Sequence, residues 1–485
     1  MSVLVVDVGT SSVRTSVVRP DSSIGCIHPF QVLPSSPAPG IVELDASAIA
    51  AAVLEGAKRT LREAGDVQGV GVANQRASVV VWDRRTGEPV GPGIGWQDLR
   101  TVGTCLELRA QGTTLGPNES ATKLAVLLDS ADPGRTRDLC FGTLDTWVIW
   151  TLSGGTLHVT DATNAGMTGL RLADGTGWDE EVLEALRIPE GVLPEVVDSS
   201  GVVGAASALD GSPVICGVAG DQQASLVGQG CTLPGTAKAT FGTGAMLDCC
   251  TGDLRPAFRR RGEAGTFPIC AWQRSGNITW GVEAMMLSAG TCVEWLRDGL
   301  GLIDSAASSD EIAGSCDHAD DVWFVPSFLG MGTPVWDFGA RGTFIGLTRD
   351  TGPSQVVRAV LEGIAHRGAD LLEAAESDTG LKIDRLRVDG GMSDNHTFVA
   401  ALTEAIGRPV EVSPVREATT LGAGYLGGMA LGIWGDESQV AAAWRPIRVV
   451  QPATGDVERS SKRQRWLEAR ERALRFVPEL SDLEF

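Results

Sequence analysis

The chain lacks the residue clusters that characterise several common classes of protein. Its ten cysteines stand singly, apart from the adjacent Cys249 and Cys250, and its five histidines lie far apart, so no zinc-site spacing is present. Neither the GxSxG elbow of serine hydrolases nor the HExxH motif of zinc proteases occurs. These absences exclude zinc-dependent and serine-hydrolase chemistry, and scattered cysteines favour reduced thiols in the cytoplasm.

Long apolar runs and an excess of basic residues are also missing. No uninterrupted apolar stretch reaches the roughly 18 residues of a membrane span, and we expect no signal peptide at the N-terminus. The formal net charge of -21 argues against a nucleic-acid or anionic membrane partner. With 485 residues, 43% of them hydrophobic, the chain is expected to fold into two large domains.

Strand-like and helix-like segments are mixed along the whole chain, which predicts an α/β fold. The segment 2–18 is typical of a strand, a Gly/Thr/Ser turn and a second strand, and the segment 237–249 repeats this plan around Gly-Thr-Gly. The repeat predicts two related domains, 1–229 and 230–485, that each direct one phosphate-type turn into a shared cleft.

The remaining elements follow from hydrophobic periodicity and from capping residues. Further strands are predicted at 69–73, 79–82, 214–218, 322–325 and 386–388. Helices are predicted at 41–64 (with Asp45 as N-cap), 120–128, 144–150, 355–375, 395–406 and 421–431. The helix at 421–431 is rich in small residues, which favours close packing, and the charged helix within 452–485 is expected to be peripheral.

Three turns have the composition of phosphate-binding loops. In the first, 7–14 (DVGTSSVR), glycine and hydroxyl residues direct backbone N–H groups into one concavity, Asp7 is placed to hold a magnesium ion, and Arg14 to neutralise a phosphoryl group. The second is 242–244 (GTG), and the third is 389–395 (DGGMSDN), where a strand ends before a helix. Each is also compatible with an ordinary tight turn that binds no ligand.

Asp221 directly follows the apolar strand at 214–218, in the sequence Gly-Asp-Gln-Gln. Phosphorylation of an alcohol requires a carboxylate that accepts the hydroxyl proton, and such a base contributes roughly 10² to 10⁴ in rate. The alternative is that Asp221 caps the helix that begins near Gln222.

Ten motifs in order resemble the FGGY family of carbohydrate kinases, and within it the glycerol kinase branch. They cover about residues 2–450 and lie at 7–14, 74–76, 96–101, 120–124, 145–147, 159–164, 220–223, 241–244, 340–349 and 388–391. The resemblance implies two actin-like (ribonuclease H-like) ATPase domains that flank an interdomain cleft, and ATP-dependent phosphorylation of a polyol (ATP and glycerol to ADP and glycerol 3-phosphate).

The resemblance also implies roles for individual residues. Asp7 would hold Mg²⁺ and Asp221 would be the catalytic base. The residues that match the family's nucleotide contacts are Ser11, Ser12, Arg14, Thr243, Gly290, Glu294, Gly391 and Asn395, with Glu294 standing where the family has Gln. The residues that match its polyol contacts are Arg76, Trp96, Asp221 and Gln222.

Two polyol-contacting positions depart from the glycerol kinase pattern. Ala77 stands at the position of a Glu and Asn118 at the position of a Tyr. A hydrogen bond to a charged group contributes roughly 1.5–3 kcal/mol, so its loss would weaken glycerol recognition by roughly 10- to 150-fold unless another group replaces it. Three outcomes are compatible with these changes: the pocket binds a larger polyol or sugar, Glu119 replaces the missing carboxylate, or glycerol remains the substrate despite the changes.

The function that these residues favour is therefore a cytoplasmic, ATP- and Mg²⁺-dependent polyol kinase that forms a homodimer or homo-oligomer. One alternative is an FGGY kinase for a larger polyol or ketopentose such as erythritol, xylulose or ribulose. Another, of a different class, is a nucleotide-switched actin-like binding protein without kinase activity. Arg76, Trp96 and Gln222 argue against the switch, because it needs no polyol pocket.

Overall fold

The computed structural model describes residues 2–483. Its strands are β1 (Val3–Val8), β2 (Ser12–Val18), β3 (Ile24–Gln31), β4 (Glu43–Leu44), β5 (Gly69–Asn74), β6 (Val80–Asp83), β7 (Gly93–Ile94), β8 (Leu139–Gly142), β9 (Val159–Asp161), β10 (Glu195–Val197), β11 (Ser200–Ala205), β12 (Val214–Gly220), β13 (Ala237–Phe241), β14 (Ala245–Gly252), β15 (Phe267–Arg274), β16 (Asn277–Met286), β17 (Trp323–Val325), β18 (Thr343–Ile345), β19 (Leu386–Asp389), β20 (Val410–Val412) and β21 (Arg448–Val450).

The α-helices alternate with these strands, which confirms the predicted α/β class. They are α1 (Ala46–Ala64), α2 (Val102–Ala110), α3 (Ala121–Ala131), α4 (Leu144–Leu152), α5 (Ala162–Gly166), α6 (Glu180–Ala185), α7 (Asp221–Gly228), α8 (Gly290–Asp298), α9 (Ser308–Gly314), α10 (Pro353–Thr379), α11 (His396–Ile406), α12 (Ala418–Ala430), α13 (Glu437–Ala443), α14 (Asp456–Glu471) and α15 (Pro478–Ser481). Short 3₁₀ turns lie at Glu190–Val192 and Gly391–Asp394.

One sheet of 13 strands, in the order β21-β20-β19-β13-β14-β16-β15-β11-β12-β5-β1-β2-β3, runs through the molecule. In its first half, β1 pairs antiparallel with β2 and parallel with β5, and β5 pairs parallel with β12. In its second half, β13 pairs antiparallel with β14 and parallel with β19, and β19 pairs parallel with β20. The same strand plan therefore occurs twice, and the bridge between Ser200 and Arg274 connects the two halves of the sheet.

Helices α7 and α12 pack closely between the two halves of the sheet. A Cβ atom at Gly422 would collide with the backbone oxygen of Ala224, and one at Gly228 would collide with that of Ala418. Small residues are therefore required along both helices. The small-residue helix predicted at 421–431 does pack against a neighbour, as its composition indicates.

The charged C-terminal helix α14 lies at the surface, as expected, but one of its faces packs against α10. Trp466 is fully buried and stacks on His366 of α10, with ring centroids 5.2 Å apart. Arg463 donates to Glu373 of α10 at 2.9 Å and also pairs with the buried Asp370. Some of the charged residues of α14 therefore form ion pairs with α10, while most of the others are exposed.

No helix within residues 2–483 is long and apolar enough to cross a membrane. The antiparallel pair β15 and β16 was not predicted from the sequence. It lies in the middle of the sheet and carries Glu283, whose contacts are described below.

Candidate functional site

The proposed base and the first phosphate turn lie at the same edge of the sheet. Strands β1, β5 and β12 are parallel, with Asp7 opposite Ala73 and Gly220 opposite Asn74. Because parallel strands end at a common edge, Asp7 and Asp221 face the same space. Burial raises the pKa of Asp7 to about 7, and the charge of Asp221 adds to this rise while Arg14 opposes it.

The first phosphate turn is a tight hairpin between β1 and β2. The N–H of Gly9 donates to the Ser12 carbonyl oxygen at 2.9 Å, and Ser11 is exposed at the tip. Arg14 lies opposite Asp7 in the β1–β2 register and forms an ion pair with Glu417, which immediately precedes α12. A phosphate that uses Arg14 must therefore compete with Glu417.

Asp221 is the first residue of α7, directly after β12. Its carboxylate accepts from the backbone N–H of Gln222 at 2.8 Å and lies 3.5 Å from the Nε of Arg76. Burial raises the pKa of Asp221, and Arg76 opposes the rise. The carboxylate does contact its own helix N-terminus, as the capping alternative requires, but it also pairs with Arg76 and is about one-third exposed.

Arg76 connects carboxylates from the two halves of the chain. Its Nη1 lies 2.7 Å from Oε2 of Glu283 on β16, while its Nε faces Asp221. Burial lowers the pKa of Arg76, but Glu283 and Asp221 outweigh burial and raise it above its ordinary value. Arg76 is therefore fixed as a cation beside the proposed base.

Ala77, which follows Arg76, has a positive φ of 60°. A left-handed backbone is unfavourable for a residue with a Cβ, and such strain is common at functional sites. The Ser120 hydroxyl donates to the carbonyl oxygen of Ala77 at 3.2 Å and holds this conformation.

The carboxylates beside Arg76 are those of Asp221 and Glu283, whereas Glu119, proposed from the sequence as a substitute carboxylate, has other partners. Glu119 accepts from the backbone N–H of Gly116 at 2.6 Å and lies 3.6 Å from Nη1 of Arg260. Glu283 could not be recognised from the sequence, because its partner Arg76 stands 207 positions earlier in the chain.

Trp96 and Asn118 are joined through Lys123, which belongs to the motif at 120–124 but to which the sequence analysis assigned no role. The fully buried Lys123 donates to the carbonyl oxygen of Trp96 at 3.1 Å and to that of Asn118 at 3.2 Å. Burial lowers the pKa of Lys123 to about 7. The side chain of Asn118 is exposed, whereas Trp96 is half-buried.

The second phosphate turn packs against the start of α8. The N–H of Gly290 donates to the Gly242 carbonyl oxygen at 2.8 Å, and the N–H of Ala289 donates to that of Thr243 at 2.9 Å. A Cβ at Gly290 would lie 2.6 Å from the Gly242 oxygen, so this position requires glycine. Glu294 is exposed one helical turn after Gly290, on the same face of α8.

The third turn lies beside the second. Gly390 has a φ of 87° and its Cα approaches the backbone of Phe241, so a Cβ there would collide with it. Gly391 is exposed, with open space where a Cβ would stand. Asn395 is the N-cap of α11: it accepts from the N–H of Phe398 at 2.8 Å and donates to Ser309 at 3.0 Å. The structure therefore gives Asn395 a capping role, and its contact with the nucleotide stays a prediction.

A row of buried charges crosses the second half of the sheet and faces this site. Lys238 on β13 is opposite Asp248 on β14, and Asp248 is opposite Glu283 on β16. The Nζ of Lys238 lies 2.7 Å from Oδ2 of Asp248 and 2.6 Å from Oε1 of Gln222. Lys238 and Asp248 are fully buried. Such a row cannot be recognised from the sequence, because each strand contributes a single charged residue and only the register of the strands brings these residues together.

The carboxylates of this row titrate differently. Burial raises the pKa of Asp248 to about 7, and Lys238 opposes this rise. Burial alone would raise the pKa of Glu283 as well, but Arg76 outweighs it and the pKa is lowered. A proton on Asp248 lets the two neighbouring carboxyl groups share a hydrogen bond.

Comparison with known proteins identifies the family. Residues 2–228 match the N-terminal domain, and residues 266–431 the C-terminal domain, of the FGGY family of carbohydrate kinases. Glycerol kinase 2 of Thermotoga maritima is 39% identical over 97% of this chain and 98% of its own length. The glycerol kinase of Dechloromonas aromatica is 40% identical over 98% of each chain.

Solved structures agree with the sequence comparison. The crystal structure of Plasmodium falciparum glycerol kinase with ADP matches 98% of each chain with a TM-score of 0.91 and 28% identity. The predicted two-domain actin-like fold is confirmed. The chain therefore belongs to the FGGY family of carbohydrate kinases and is an ATP-dependent carbohydrate or polyol kinase.

Proposed function

We propose that this kinase transfers the γ-phosphoryl group of ATP to a hydroxyl of a small polyol, with glycerol as the first candidate and glycerol 3-phosphate as the product. The observation that carries this proposal is the placement of Asp221 beside Arg76 and Gln222 at the sheet edge where Asp7 and the first phosphate turn also lie. The curated relatives named above, which carry glycerol kinase names, support it.

In this proposal Asp221 is the general base. Its carboxylate accepts the proton of the substrate hydroxyl as that oxygen attacks the γ-phosphorus, and the bond to the bridging oxygen of ADP breaks. Arg76 holds substrate oxygens, and its cation favours the carboxylate form of Asp221 against the effect of burial, which raises the pKa of that group. Trp96 and Gln222 complete the polyol pocket.

The nucleotide lies between the proposed domains 1–229 and 230–485. Ser11, Ser12 and Arg14 contact its phosphates from the first domain and Thr243 from the second. Gly290, Glu294, Gly391 and Asn395 surround the rest of the nucleotide. Closure of the two domains excludes water, which would otherwise compete with the polyol as acceptor.

Asp7 is the residue proposed to hold Mg²⁺. Among residues 2–483, no group of three or more His, Cys, Asp or Glu side chains could hold a metal ion by itself. A magnesium ion in a kinase is bound by one or two carboxylates together with phosphate oxygens and water, so Asp7 suffices. The raised pKa of Asp7 fits this role, because the buried carboxylate lacks a full countercharge and a divalent cation would supply one. When bound, the ion neutralises charge on the β- and γ-phosphates.

Ala77 and Asn118 leave the size of the substrate as the main question. Ala77 is buried and carries no polar group, and Asn118 is exposed, so neither reproduces the Glu and Tyr of the glycerol kinase pattern. The second candidate is therefore a larger polyol or ketopentose such as erythritol, xylulose or ribulose.

The test is a panel of acceptors assayed for ADP release with Mg²⁺ and ATP, with the Asp221→Asn variant as the control for true transfer. A glycerol kcat/KM well above those of four- and five-carbon acceptors supports the first candidate. A higher value for a larger acceptor supports the second. ATP binding without transfer to any acceptor would contradict both and favour the nucleotide-switched binding protein.

We further propose that the enzyme acts in the cytoplasm as a homodimer or homo-oligomer. Light scattering coupled to size-exclusion chromatography tests the oligomeric state, since a mass of 50.8 kDa at micromolar concentration would show a monomer.

A further inference from the structure

Lys238 has three polar partners inside the protein: it donates hydrogen bonds to Gln222 and Thr240 and forms an ion pair with Asp248. Its Nζ lies 2.7 Å from Oδ2 of Asp248, 2.6 Å from Oε1 of Gln222 and 3.1 Å from Oγ1 of Thr240. A lysine ammonium carries three donors and no acceptor. With Lys238 fully buried, its position and direction are fixed by these three partners.

The contact with Lys238 determines which way the amide of Gln222 points. Because the ammonium group can only donate, the atom of Gln222 that faces it must be Oε1. The Nε2 group then points away from Lys238 and has no hydrogen-bond partner within residues 2–483. Gln222 is partly exposed and directly follows the proposed base Asp221. An N–H donor without a protein partner at this position is available to bind an oxygen of a ligand.

We propose that Lys238, held in place by Asp248, is a positioning residue: it orients the amide of Gln222 so that Nε2 donates to an oxygen of the acceptor substrate. The proposal rests on the proposed function, because Gln222 is a substrate contact only if the chain phosphorylates a polyol or sugar. It implies that the substrate presents a lone-pair oxygen, of a hydroxyl or a carbonyl, to Gln222.

The same row of charges fixes Arg76. Glu283 is the cross-strand neighbour of Asp248 and pairs with Arg76 at 2.7 Å. Two proposed substrate contacts of the first domain, Arg76 and Gln222, are thus held by side chains from the second half of the chain. The acceptor pocket is complete only when β13, β14 and β16 lie against it.

A double-mutant cycle tests whether Lys238 acts through Gln222. Lys238→Met is combined with Asp248→Leu, because removing both charges leaves no unpaired buried ion. We expect this pair to raise the KM for the acceptor roughly 3- to 10-fold, the loss of one neutral hydrogen bond, and Gln222→Ala to do the same. With Gln222→Ala already present, the pair should raise the acceptor KM no further.

Two controls separate positioning from a general structural effect. The KM for ATP should change less than about 2-fold, and Thr240→Val, which removes a Lys238 contact that does not involve Gln222, should leave the acceptor KM within about 2-fold. The variant Gln222→Glu keeps an oxygen toward Lys238 but loses Nε2, so it should reproduce the effect of Gln222→Ala in a folded protein.

The outcomes are distinct. The positioning role would be overturned if the Lys238→Met/Asp248→Leu pair and Gln222→Ala multiplied each other's effects on the acceptor KM. It would also be overturned if Gln222→Glu kept the wild-type acceptor KM. In both cases phosphoryl transfer by the wild type would still uphold the proposed function. If the wild type transferred phosphate to no acceptor, the proposed function would fail and the positioning role with it.

Discussion

Replacing Arg76 with Met removes a guanidinium group that pairs with carboxylates from both halves of the chain. Arg76 is 9% exposed and Glu283 is 2% exposed. Once the guanidinium is removed, water therefore cannot reach the Glu283 carboxylate to replace it. Removing one partner of a buried ion pair costs about 3–5 kcal/mol. For domains of about 230–250 residues, this corresponds to a fall of roughly 6–20 °C in the midpoint of thermal unfolding.

Replacing Glu283 with Gln should cost much less, although it alters the same contact. The amide oxygen still accepts from Arg76, and Arg76 keeps Asp221 at 3.5 Å. The cluster contains three carboxyl groups, which are those of Asp221, Asp248 and Glu283, and two cations, which are Arg76 and Lys238. Removing the charge of Glu283 leaves two carboxylates for two cations, so Asp248 can then lose its proton. We expect a loss of about 1 kcal/mol, or roughly 2–4 °C.

Differential scanning calorimetry of the two variants measures this asymmetry directly. Arg297→Met is the matched control, since Arg297 pairs with Asp298 at the surface and should leave the midpoint unchanged. Equal falls for Arg76→Met and Glu283→Gln would refute the argument that the cluster holds one surplus carboxylate.

Three further predictions concern the base, the buried carboxyl group and the C-terminal helix. Asp221→Asn should lower phosphoryl transfer by roughly 10² to 10⁴ while ATP binding persists, and the exposed Asp210→Asn should change neither, as measured by ADP release and calorimetric titration of ATP. The folded pKa of Asp248, about 7, lies above the ordinary value of 3.8, so its stabilising contribution is present at low pH and is lost as the pH rises toward 7. The thermal-unfolding midpoint of the wild type should therefore fall relative to that of Asp248→Asn between pH 5 and pH 8. A difference between the two midpoints that stays constant over this range would contradict the raised pKa of Asp248. Trp466→Ala should lower the free energy of unfolding, measured by urea titration, by about 3–5 kcal/mol, because this fully buried ring fixes α14 on α10. Val457→Ala on the exposed face should leave it unchanged in the same assay.

The sequence alone was sufficient for features that depend on neighbouring residues. Hydrophobic periodicity and turn residues located β1, β2 and the turn between them, and Asp45 is the N-cap of α1 as predicted, with its side chain accepting from Ala48. The strand before Asp221 was also correct, because a buried parallel strand is a continuous apolar run. Such patterns depend only on residues close in sequence, so they can be interpreted without knowledge of the fold.

The family resemblance extended this local information to the proposed site. It assigned roles to Asp7, Asp221 and the two glycine-rich turns, and the structure places Asp7 and Asp221 at one edge of the sheet because β1, β5 and β12 are parallel. The boundary near residue 229 and the roles of individual site residues stay predictions, which the kinetic experiments above address.

Only the tertiary structure revealed the groups that hold the substrate contacts in place. Lys238, Asp248 and Glu283 are separated by 10 and 35 positions in the chain, and only the cross-strand register brings them into one row. Each of these residues is a lone charge within a strand, and whether such a charge is buried and paired depends on partners in other elements, 10 positions away for Asp248 and Lys238 and 207 for Glu283 and Arg76. The same reason explains why the contact of the C-terminal helix with α10 was not predicted: the carboxylates on α10 that bind its arginines are too distant in sequence to form a recognisable pattern.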